Sequence, residues 1–72
     1  MSEVQFYRSR AAQCRAEADA TTLDNVRERC LRAEAAWVAM AERGERAEQM
    51  RADRDAAKAA MADALPAGTG DI

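Results

Sequence analysis

Ala18-Asp19-Ala20-Thr21-Thr22-Leu23-Asp24-Asn25-Val26 is the stretch that decides how this chain folds. Threonine is disfavoured inside a helix because its branched side chain loses rotamer freedom and its hydroxyl competes for backbone hydrogen bonds. Two in succession interrupt a run of strong helix formers. Thr21 stands three residues before Asp24, a spacing suited to capping the start of a new helix, and Asp24 and Glu28 place negative charge where that helix's dipole favours it. A tight turn between two helices is expected at Thr21–Thr22.

Upstream, Ser2 followed three positions later by Gln5 has the form of a capping box. From Glu3 to Ala20 there is no Gly or Pro, and Ala, Arg, Glu and Gln dominate, which predicts helix one over about 3–20. Downstream, helix formers continue until Leu65-Pro66, where proline disfavours helical geometry in the residue before it. Helix two is expected over about 23–65, and 66–72 as a flexible C-terminal tail. At about 1.5 Å per residue the helices are roughly 28 and 63 Å long, so the hairpin, a single unit over 1–65, is lopsided.

Two apolar seams give this organisation a register. Val4, Tyr7, Ala11, Cys14, Ala18 and Thr21 follow the alternating three-four spacing of a coiled-coil stripe, as do Leu23, Val26, Cys30, Ala33, Trp37, Met40, Gly44 and Ala47. Folding back at Thr22 pairs residues whose numbers add to 44: Val4 with Met40, Tyr7 with Trp37, Ala11 with Ala33, Cys14 with Cys30 and Ala18 with Val26. Large side chains then meet large ones, and the helices splay at the Tyr7/Trp37 layer. Gly44, costly in a helix interior by about 1 kcal/mol, marks a close crossing or a hinge. Beyond Ala47 the seam slips: Arg51 and Arg54 stand where apolar residues are due, and Met50, Ala57, Met61 and Leu65 form a displaced stripe. The fold class is therefore all-α, a coiled-coil-like antiparallel two-helix hairpin with a long second helix, expected to dimerise into a helical bundle.

Composition narrows the function. Of the 72 residues 19 are Ala, so the 49% counted as hydrophobic overstates what can be buried. A core this small supplies roughly 3 to 5 kcal/mol, which points to oligomerisation or a partner. A net charge of −2 sets up no strong field toward DNA or an anionic membrane. The N-terminus lacks the basic and apolar regions of a signal peptide, no span suits a bilayer, and the expected location is cytoplasmic. With no histidine, the commonest general base and transition-metal ligand is missing, and no phosphate loop, paired carboxylates or activated nucleophile appears. Catalytic, cofactor-binding and metal-binding residues are expected to be none.

The candidate residues are those of an interface. Phe6, Leu31, Val38 and Ala35 project beside the seam and widen the apolar face, as suits a four-helix dimer. Trp37 fits either the hairpin core or a binding hot spot, and the Met50/Met61 stripe suits an adaptable contact surface. Cys14 and Cys30, facing each other in the expected register, are a candidate redox pair, although free cysteine commonly packs as a small hydrophobe. Arg43, Arg51, Arg54 and Lys58 lie along one side of helix two and offer phosphate contacts, interleaved with Glu42, Glu45, Glu48, Asp53 and Asp55. Glu28 with Arg32 and Glu42 with Arg46 stand four apart, the spacing of solvated ion pairs.

The run Tyr7-Arg8-Ser9-Arg10-Ala11-Ala12-Gln13-Cys14-Arg15-Ala16, followed by Asn25-Val26-Arg27-Glu28-Arg29 and Glu34-Ala35-Ala36-Trp37, resembles short uncharacterised α-helical proteins of alphaproteobacteria. The likeness covers about 6–41, implies a bacterial cytoplasmic setting and carries no mechanism. The expected function is a small non-catalytic protein-interaction module, a homo-oligomer or an adaptor or regulatory subunit. One alternative is an accessory subunit bracing a larger complex through the overhang of helix two, and a second is a nucleic-acid-associated accessory protein.

Overall fold

The computed structural model describes residues 2–64 of the chain, with the side chain of the last of these left aside. The expected tail over 66–72, and Leu65 of the Met stripe, lie outside the described residues. Two helices, α1 (Glu3–Ala20) and α2 (Asp24–Ala64), pack as an antiparallel hairpin.

α1 begins with the capping box read from the sequence. The Gln5 amide donates to Ser2 Oγ at 3.1 Å, and the Ser2 amide donates to Gln5 Oε1 at 3.3 Å. Both satisfy amides that have no partner inside the helix. At the turn the structure departs from expectation: Thr21 closes α1 in extended geometry instead of capping α2. Its hydroxyl accepts from the Leu23 amide at 3.1 Å, stabilising the three-residue connection. Arg27, one turn into α2, reaches back across it. Its guanidinium donates to the carbonyls of Thr21 at 2.8 Å and Ala18 at 3.4 Å, two of the acceptors that every helix C-terminus leaves free.

The helices are paired one turn further along than expected. Val4 sits on Gly44, where a Cβ added to the glycine would lie 2.7 Å from Val4 Cγ2. Arg15 meets Glu34 at 3.5 Å, and the Cys30 thiol approaches the Glu17 carboxylate at 3.9 Å. These contacts place level with each other residues whose numbers add to about 48. Val4 then faces Gly44, Tyr7 faces Ala41, Ala11 faces Trp37, Cys14 faces Glu34 and Ala18 faces Cys30. The burial pattern agrees, since Ala11 (5% exposed), Ala18 (1%), Cys30 (9%) and Ala41 (0%) form the core.

The physical reason is steric. In the expected register Tyr7 and Trp37 share a layer while Ala11 and Ala33 leave their neighbours too far apart to touch. Shifting by one turn sets each large side chain against a small one, so the axes stay close along the whole contact and fewer voids remain. Tyr7 and Trp37 still touch because their rings reach along the axis. Ala41, outside the seam read from the sequence, becomes the most buried residue, and Glu34 enters the interface with Arg15 to neutralise it.

Candidate interaction surface

The aromatic residues gather at one place on the hairpin. Trp37 lies 5.9 Å from both Tyr7 and Phe6, ring centre to ring centre, and Phe6 meets Tyr7 at 6.1 Å. The two Phe6 contacts are edge-to-face, the geometry favoured by the ring quadrupoles. The Arg10 guanidinium stands 5.6 Å from the centre of the Trp37 ring, within range of a cation–π contact. Phe6 remains 47% exposed, so the cluster joins the core to the surface.

Leu31 and Val38 are both partly buried but do not join this cluster. At 100° per residue they stand beside Glu34 and Glu45, the flank of α2 on which Arg15 binds Glu34 and Arg8 binds Glu45. Phe6, Arg10 and Glu17 reach Trp37 and Cys30 from the other flank. The single widened apolar face read from the sequence is therefore two patches, separated by α1.

Past Glu45, which Arg8 of α1 still reaches, α2 has no cover among the described residues. Every residue from Glu45 to Asp63 is exposed, with Met50 at 62% and Met61 at 70%. By the same angular count both methionines lie on the side of α2 opposite the line Cys30, Trp37, Ala41 and Gly44 that faces α1. Arg43, Arg51, Arg54 and Lys58 form no ion pair among the described residues; the pairs that do form are Arg8–Glu45, Arg15–Asp19, Arg15–Glu34 and Arg27–Asp24. The expected pairs Glu28–Arg32 and Glu42–Arg46 are absent from that set, leaving all four side chains exposed and unengaged on the outer side of α2.

Comparison with family models, with curated proteins and with solved structures returns no match.

Cys14 and Cys30 are free thiols, partly buried and buried respectively. The one-turn shift that sets Cys14 level with Glu34 leaves Cys30 four residues away, about 6 Å along the axis, in addition to the roughly 8 Å between close helices. A disulfide needs Cα atoms about 4.4–6.8 Å apart. The facing redox pair read from the sequence is thus not formed, and Cys30 packs under Ala18 as a small apolar side chain.

No helix of the described residues is long and apolar enough to cross a membrane, and no group of three His, Cys, Asp or Glu among them could hold a metal ion. Two shallow depressions lie along the outer side of α2, one lined by Ala35, Val38, Ala39, Glu42, Arg43 and Arg46, the other by Glu28, Leu31 and Arg32. Both are grooves between successive helical turns. The charges at 28, 32, 42 and 46 sit symmetrically about the two alanines at 35 and 39.

Proposed function

We propose that this chain is a small non-catalytic protein-interaction module that self-associates, with α2 as the contact element. The observation that carries this is how little of α2 is covered: α1 lies along one side of it as far as about Gly44, leaving the opposite side exposed at Glu28, Arg32, Ala35, Ala39, Glu42 and Arg46 and roughly 30 Å of helix beyond. Isolated helices shorter than about 12–15 residues are marginal in water, and most helical stability in proteins comes from packing an apolar face. A second body against α2 supplies what α1 does not.

The deciding measurement is the solution mass by light scattering during size-exclusion chromatography, with and without reductant. The expected result is a dimer in both conditions, and a monomer at all accessible concentrations would end the self-association reading.

Exposure of Met50 and Met61 favours a second reading, in which the overhang braces another protein in a larger assembly. Met61→Asp separates the two, because a bracing contact is lost while the dimer mass is unchanged. Loss of the dimer itself would place the self-contact on the overhang.

A further inference from the structure

On the outer side of α2, opposite α1, six exposed residues fall in one stripe at alternating spacings of four and three: Glu28, Arg32, Ala35, Ala39, Glu42 and Arg46. Read from the other end, the order is Arg, Glu, Ala, Ala, Arg, Glu. The stripe is thus its own complement under reversal. Laid antiparallel on a second copy about a dyad at position 37, Glu28 falls level with Arg46, Arg32 with Glu42, and Ala35 with Ala39. Every acid meets a base and the alanines allow close approach at the centre.

The geometry points to a second copy of this chain as the occupant of this face, packed antiparallel α2 to α2 in that register. This rests on the self-association proposed above and specifies its surface. One further observation supports it. None of the four charged side chains makes an ion pair or a side-chain hydrogen bond within its own chain among the described residues.

The overhang offers a competing contact, and its charges argue against it. Pairing Met50 with Met61 of a second copy, antiparallel, sets Arg51 beside Lys58 on the same flank, twice over by symmetry. Like charges so placed oppose association; the stripe at 28–46 also sets Arg29 near Arg43 at its edge, but offsets this with four acid–base pairs in register, which the Met50–Met61 stripe lacks.

The test exchanges charge in one layer. Glu42→Arg alone sets Arg against Arg32, and Arg32→Glu alone sets Glu against Glu42, each at two symmetric places. Both variants should weaken the dimer by about tenfold or more in Kd, read by light scattering across a dilution series. Circular dichroism should show the helix content of the wild type, since neither side chain holds the hairpin together. Mixing the two variants restores both layers, so an equimolar mixture should form a heterodimer of near wild-type affinity. A wild-type dimer unaffected by either substitution would overturn this face and leave self-association standing, and weakened variants that fail to recover on mixing would overturn the register. A wild-type monomer would end both proposals.

Discussion

Gly44 is the residue at which two opposing effects can be weighed. Alanine there gains about 1 kcal/mol of helix propensity, yet its Cβ would stand 2.7 Å from Val4 Cγ2, a contact that requires movement. Valine has a stiff branched side chain, and overpacking of this kind costs about 1–3 kcal/mol. Gly44→Ala should therefore be neutral to destabilising in the wild type, but stabilising by about 1 kcal/mol when Val4 is also Ala. Thermal melts of the four proteins give that coupling, and a stabilising Gly44→Ala in both backgrounds would show that α1 does not lie on the glycine. Arg27 makes a second case. Arg27→Met keeps the apolar stem and removes the donors to Thr21 and Ala18, and with the side chain half exposed the loss should be about 1 kcal/mol, visible as a lower urea midpoint with an unchanged slope. For the cysteines, mild oxidation should raise the melting temperature of neither the wild type nor Cys14→Ser. A rise confined to the wild type would mean that the thiols do meet.

At the level of the helices, stability should be distributed unevenly along α2. Its first half is packed on α1 through Cys30, Trp37 and Ala41, and the segment from Glu45 onward is exposed throughout. Amide hydrogen exchange in a dilute, monomeric sample should be slowest around 30–41 and fast from about 48 on, because opening the overhang breaks no tertiary contact. Equal protection along the whole helix would mean that something covers its far half. Both helices could be read from the sequence because their signals are local: the Ser2–Gln5 box, the Thr21-Thr22 break and the unbroken helix formers each act within a few residues. The register could not, since sliding α1 by one turn preserves the three-four spacing of both seams. What selects the turn is size against size, Val4 on Gly44 and Tyr7 on Ala41, a property of the pair of helices. Of the candidate surface residues, Trp37 proved to be partly buried against α1, Phe6 its half-exposed edge, and Met50 and Met61 largely exposed. Arg27 and Glu34 were missed because a charged side chain at a helix flank carries no periodic signal.

For the molecule as a whole, the expected species is a dimer whose mass is unaffected by Met61→Asp and by reductant, and whose Kd rises with ionic strength as the layers of Glu and Arg are screened. A dimer insensitive to salt would instead be held by apolar contact alone. The lopsidedness of the hairpin bears on how any such species will behave in solution. The chain measures 73 × 17 × 12 Å, with a radius of gyration of 21.3 Å, about twice the ~11 Å of a compact domain of this length. A rod diffuses more slowly than a sphere of equal mass, so even a single copy will leave a gel-filtration column ahead of globular proteins of its own mass, and an early peak cannot be taken for an oligomer.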